Sequence, residues 1–330
     1  MTEARLATRL TERLAIDHPI VLAPMAGVSG GALAKAVTEA GGLGLIGGGY
    51  GDADFLDAAF RDAGNTRVGC GFITWSLAQN PALLDRVLAH DPAAVMLSFG
   101  DPAPFAPAIR AAGGVLICQC QTLDHVRQAL DAGAEIIVAQ GGEAGGHGAV
   151  RGSLNFVPEV ADHLAGAAPD VLLLAAGGVA DGRGLAAALT LGADGVLVGT
   201  RFWAAAESLA PEGHRTAALS AGGDDTVKSK AVDMIREKRW PDDFSLRVRR
   251  NAFTDRWAGR EDALADALAR EIPRYAAAAA RGDAEESAPI CGEAIGLIRS
   301  IDPAGEILTR MAADAVLRLR SAGAAIKRGA

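Results

Sequence analysis

The residue with the plainest chemistry is His147, in the run QGGEAGGHGAVRG that spans 140–152. An imidazole exchanges a proton near neutral pH, so a reachable histidine is a candidate general base, or a cation for an anionic ligand. Glycines stand around it at 141, 142, 145, 146 and 148, with one acid, Glu143. Glycine has no Cβ, so such a loop brings backbone close to a bound molecule. The apolar run Ile136–Ala139 just before it reads as a buried strand, and Gln140 ends that strand with an amide able to hydrogen-bond a flat ring. The competing reading is a flexible surface loop with a solvated histidine, and Glu143 reads as a solvated carboxylate.

Three other loops follow apolar runs. In Ala23-Pro24-Met25-Ala26-Gly27 the proline and glycine fix the backbone, so its N–H and C=O groups can meet the edge of a heterocycle. Met25 adds a polarizable contact. Gly177-Gly178 follows the seventh run and Gly199-Thr200 the eighth. Paired loops in those two positions of a barrel commonly hold a phosphate through backbone N–H groups. Gly178, Gly199 and Thr200 are therefore expected phosphate contacts, and Gly146 and Gly177 join the cofactor-binding set. Gln119 and Gln121 end the fifth run, and Gln119 is expected to reach the ring.

The elements that must carry these loops show as an alternation. Eight short apolar runs begin at Ile20, Gly44, Arg67, Ala94, Val115, Glu135, Val171 and Gly195. Most are apolar throughout, as strands buried on both faces should be. Between them lie segments with apolar residues at three- and four-residue spacing, such as Leu123–Ala132 and Gly182–Leu191. Several end in Ala-Gly or Leu-Gly, a helix stop. The pattern predicts an α/β fold, a parallel (β/α)₈ TIM barrel over residues 1–210. A doubly wound sheet is the second choice, weakened because no G-x-G-x-x-G follows the first run. Residues 211–330 read as helical with no convincing strand. They predict a C-terminal helical subdomain that splits off the closing barrel helix and caps the mouth, with Pro289–Ala330 as terminal helices.

Composition narrows the class. Net charge is −8, against the basic footprint of nucleic-acid binding. No apolar run approaches the length of a membrane span, and the start lacks a signal-peptide core. The four cysteines (Cys70, Cys118, Cys120, Cys291) are too few and scattered for a disulfide scaffold and read as reduced packing residues rather than metal ligands. A soluble, cytoplasmic protein is expected, as a monomer or a homo-oligomer. His18, His90, His125, His163 and His214 fall at predicted helix ends or surfaces and carry no expected chemistry.

Several blocks in register, PMAGVSGGALAKAVTEAGGLG, AQGGEAGGHG and AAGGVADGRGLAAALTLGADGVLVGTRF, resemble the nitronate monooxygenase (2-nitropropane dioxygenase) family over about residues 14–210. The resemblance implies an FMN-dependent barrel with the flavin across the carboxyl ends of the strands. By the same resemblance Ala23, Pro24 and Met25 border the isoalloxazine, Gln140 contacts it, and Gly178, Gly199 and Thr200 hold the phosphate. His147 matches the family's active-site histidine. Many members carry Asn in the loop after strand three, where this chain has Gly71. The implied reaction is oxidation of an alkyl nitronate, or of a nitroalkane, by O₂ to a carbonyl compound and nitrite. His147 would act there as base or as cation. Three rivals remain: an FMN-dependent NAD(P)H:quinone or enoyl-acyl-carrier-protein reductase; more distantly, a flavin-free phosphate-binding barrel synthase or isomerase; and a non-catalytic flavin- or metabolite-binding protein, which would have no need of His147 beside the ring.

Overall fold

The computed structural model describes residues 5–326; the outermost ends of the predicted first and last segments, 1–4 and 327–330, lie outside the described residues. Eleven strands occur in it, numbered here in chain order. They are β1 (Ile20–Leu22), β2 (Leu45–Gly49), β3 (Gly69–Ile73), β4 (Ala94–Ser98), β5 (Val115–Cys120), β6 (Ile136–Gln140), β7 (Gly146–Gly148), β8 (Leu172–Ala176), β9 (Gly195–Val198), β10 (Thr226–Ser229) and β11 (Ser245–Arg249).

Eight of them form one parallel sheet in the order β1-β9-β8-β6-β5-β4-β3-β2. The two ends of that sheet meet at the parallel bridge Val21–Leu43. There the Leu22 amide donates to Leu43 at 2.9 Å and the Leu43 amide to Ile20 at 3.1 Å, which closes the barrel. The helices between the strands include Gly31–Glu39, Leu123–Asp131, Ser153–Ala167 and Gly182–Thr190, close to their predicted bounds.

Side-chain alternation builds two cores. On β6, Ile136 and Val138 point into the barrel, while Ile137 and Ala139 pack outward against the helices. This two-sided burial is why the runs are apolar throughout. Leu10, from the helix Arg9–Leu14, joins the inner cluster and plugs the end of the barrel away from the strand carboxyl ends. Cys118 and Cys120 both belong to the outer core. All four cysteines are free and buried, and burial pushes the thiols of Cys70, Cys118 and Cys291 up to about 12.

The chain beyond Phe202 departs from the expectation of helix alone. β10 and β11 form an antiparallel pair, and β11 pairs in turn with β7, giving a three-stranded sheet in the order β10-β11-β7. The reason lies in the short run SLRVR: Leu246 and Val248 are buried while Arg247 and Arg249 alternate with them, a period-two pattern only five residues long. The arginines made it read as charged helix. Around this sheet Val232, Phe253, Trp257, Leu264 and Tyr275 form a separate core, with the long helix Glu261–Ala280 over it. The chain then returns, and Ala304–Ala324 packs against Gly182–Thr190 and Gly31–Glu39 as the eighth barrel helix.

Candidate active site

The loops at the carboxyl ends of the barrel strands and the inserted segment enclose one pocket. Ala23, Pro24, Met25, Gln119, Gln140, Gly146, His147, Gly177, Gly178, Gly199 and Thr200 all line it. Every expected site residue is thus gathered in one place, contributed by five different barrel strand ends and by β7.

His147 sits on β7, where pairing with Leu246 of β11 fixes the backbone that carries it. The glycine loop is therefore part of a sheet rather than a free surface turn. The imidazole is only 8% exposed. Its Nε2 lies 3.0 Å from each carboxylate oxygen of Asp233. One face of the ring stacks on Trp240, with centroids 3.3 Å apart and planes 8° apart. The Trp240 indole N–H donates to the Tyr50 hydroxyl at 2.9 Å, and Phe99 and Trp75 pack edge-on around the indole. Burial pushes the His147 pKa below its ordinary value; Asp233 opposes that, and Arg236 adds to it. At neutral pH the free base is thus the favoured form.

Behind His147 runs a chain of amides. Gln119 and Gln121 each donate to Gln140 Oε1 at 2.7 Å, and Gln140 Nε2 donates to the His147 carbonyl at 3.0 Å. Gln140 is therefore largely occupied in holding the histidine's backbone. Gln119 keeps its own carbonyl oxygen for the pocket. The Met25 backbone is also spent: its N–H donates to Ser29 Oγ at 2.7 Å, and its C=O accepts from Val28 and Ser29. That corrects the expectation for this residue's N–H and C=O, because a tight turn consumes them; what Met25 offers the pocket is its side chain.

The residues fit a flavin phosphate on two observations. Among the described residues, no acceptor is found for the amides of Gly178, Val179, Gly199 and Thr200. A Cβ added at Gly199, whose φ is −103°, would approach nothing nearer than Ala23 Cβ at 3.6 Å. Neither a left-handed backbone nor protein packing demands glycine there, which leaves the bare backbone open to a bound group. Thr200 Oγ accepts from the Gly292 amide at 2.9 Å, which leaves its O–H free to donate.

Two further residues differ from expectation. Glu143 is not a solvated carboxylate: it accepts from the Ser153 amide at 3.0 Å and from Ser153 Oγ at 2.9 Å, capping the helix that follows the loop. His214 is buried, with Nε2 2.9 Å from Ser287 Oγ, a packing role away from the pocket. At Gly71 an added Cβ would overlap the Pro24 ring, so a side chain at this position requires a different course of the Pro24 loop.

The family model described as nitronate monooxygenase matches residues 7–66 and 73–314. The chain belongs to the nitronate monooxygenase family. A nitronate monooxygenase from Neurospora crassa is 34% identical, over 92% of this chain and 90% of that protein. The nitroalkane oxidase from Streptomyces ansochromogenes superposes with a TM-score of 0.77 at 29% identity, covering 95% of this chain and 99% of that one. FabK from Thermotoga maritima superposes with a TM-score of 0.84 at 28% identity, covering 97% of this chain and 100% of that one. The family match skips residues 67–72, the segment that holds Gly71.

The sequence reading missed the part of this nitronate monooxygenase family site that comes from the inserted segment. Asp233, Arg236 and Trp240 all sit within AVDMIREKRW, which reads as a solvated charged helix. Arg236 is the one permanently charged side chain lining the pocket among the described residues, and no ion-pair partner is found for it there. Tyr50 and Phe99 end β2 and β4 and also went unremarked; the positive φ of 63° at Phe99, unusual for a non-glycine residue, turns its ring into the cluster.

Proposed function

We propose that this protein is an FMN-dependent nitronate monooxygenase, in which residues 1–210 hold the flavin and 211–330 close over the substrate. The family is flavin-dependent; the backbone amides after β8 and β9 left unpaired among the described residues support the mononucleotide. When bound, the flavin supplies the electron-transfer chemistry by which a nitronate is oxidised with O₂ to a carbonyl compound and nitrite.

One observation carries the reading: among the described residues, a buried imidazole whose free base is favoured by burial and one guanidinium without an ion-pair partner, Arg236, face the same otherwise uncharged pocket. A nitronate is an anion of modest size, and Arg236 favours its entry. A neutral nitroalkane carries an acidic α-proton, and His147 is placed to take it. Tyr50, Trp75, Phe99 and Trp240 exclude water from that side of the imidazole, which keeps the base unsolvated and its partner charge effective. Four unpaired, buried thiols suit a reducing compartment, and we place the protein in the cytoplasm.

Anaerobic mixing tests this reading. The purified protein, yellow with releasable FMN, is expected to bleach with ethylnitronate or propionate 3-nitronate and only slowly with NADH. Fast bleaching by NADH alone would assign it to the reductases instead.

A further inference from the structure

Among the described residues His147 has one charged hydrogen-bond partner, Asp233, and that carboxylate comes from outside the barrel. It belongs to the short helix Ala231–Ile235, between β10 and β11. It is 4% exposed, and no Lys or Arg ion pair is found for it. A buried carboxylate without a cation costs free energy unless its oxygens are hydrogen-bonded. Here both oxygens point at one atom, His147 Nε2, each at 3.0 Å.

A carboxylate only accepts, so Nε2 carries the hydrogen and Nδ1 carries the lone pair. Nδ1 has no protein partner, and it is not among the polar side-chain atoms sealed from solvent without one. The ring cannot readily turn to exchange its two nitrogens. Trp240 covers one face, Asp233 holds one edge, and Gln140 ties down the carbonyl of the same residue.

We propose that Asp233 is the positioning residue of a His147–Asp233 pair, fixing the tautomer so that Nδ1 takes the α-proton of a neutral nitroalkane. This rests on the function proposed above. In the step, the α-C–H bond breaks and Nδ1–H forms. The electron pair of that bond moves onto the nitro oxygens, giving the nitronate. The imidazolium left behind is balanced by Asp233 until its new proton passes to water. The orientation of the base thus comes from the inserted segment rather than from the barrel. A nitronate supplied ready-made needs no such step.

The groups that could share in this titration are few. Arg236 follows Asp233 on the same turn and disfavours the imidazolium. Tyr50 faces the stack, and burial raises its pKa. On the neighbouring strands Lys228 donates to the carbonyls of Gly148 and Ala149, and Arg247 donates to Gly142 O at 3.0 Å and pairs with Glu293.

The test compares the FMN-loaded wild type with Asp233→Asn and Asp233→Glu, measuring kcat/KM against pH for nitroethane and for ethylnitronate. In Asp233→Asn the nitroethane value is expected to fall roughly 10²–10³-fold, within the span usual for a placed proton acceptor. Its acid limb should move to lower pH, because the carboxylate that favoured the imidazolium is gone. Ethylnitronate oxidation and the flavin spectrum should change less than about threefold, and Asp233→Glu should recover part of the nitroethane rate. An unshifted acid limb, or equal losses on both substrates with intact flavin, would overturn the pair. Absence of nitronate turnover in the wild type would instead refute the proposed function.

Discussion

Gly199→Ala separates what the fold needs from what a ligand needs. At φ −103° an alanine is unstrained, and its methyl group meets only Ala23 Cβ at 3.6 Å and Met25 Sδ at 3.8 Å, both ordinary contacts. The flavin-free variant should therefore be as stable as the wild type, or more stable by about 0.4–1 kcal/mol, because alanine restricts the unfolded chain. The same methyl adds bulk to the pocket wall beside the amides assigned to the phosphate. Displacing that group from one backbone amide forfeits a hydrogen bond to a charged group, worth about 1.5–3 kcal/mol. At about 1.4 kcal/mol per tenfold, the flavin Kd should rise roughly 10- to 100-fold. Quenching of flavin fluorescence on titration into the apoprotein reads the affinity, and urea unfolding of the apoprotein reads the stability. Gly178→Ala is the contrast: its φ of +74° imposes strain of about 1–2 kcal/mol on the fold itself, so both quantities should drop. If Gly199→Ala binds FMN as tightly as the wild type, the phosphate does not lie there. If its apoprotein is clearly destabilised, the glycine serves packing after all.

Arg236→Met keeps the aliphatic stem and removes the one permanent charge on the pocket wall. KM for ethylnitronate should rise roughly tenfold, about 1.4 kcal/mol, with little change for neutral nitroethane; equal effects on both would detach Arg236 from anion recognition. The wild-type kcat/KM for nitroethane should be lost only as pH falls through an inflection below 6.5, since burial lowers the His147 pKa and the free base is the active form. An acid limb centred above 6.5 would contradict that sign. Leu10→Ala empties the plug of the barrel's inner core, where Leu10 is fully buried, and should cost about 2–5 kcal/mol in urea unfolding while leaving the flavin Kd unchanged.

The contrast between Ile136–Gln140 and Ala231–Trp240 explains what could be read from the chain alone. A barrel strand is buried on both faces, so its identity is written locally, in a run such as Ile-Ile-Val-Ala closed by a glycine loop. The loops inherit their place from the strands, and so Gly178, Gly199 and His147 could be assigned to one mouth before any coordinates. Asp233 and Trp240 have no such local mark. Their neighbours Arg236, Glu237, Lys238 and Arg239 make the segment read as a solvated helix, and only β11 pairing with β7 carries it over the imidazole. That pairing spans about a hundred residues and is set by five of them, Ser245–Arg249, in which two arginines obscure the alternation. The proposed base is therefore legible while the carboxylate paired with it is not. The loop that carries His147 follows a barrel strand and is placed by the barrel's own repeat; its partner is placed by a long-range sheet whose period-two signal is only five residues long. The same division predicts where relatives on this barrel can diverge in reaction with least cost to the fold: in the inserted segment, where changing Asp233, Arg236 or Trp240 alters proton transfer and substrate charge while the two barrel cores stay as they are.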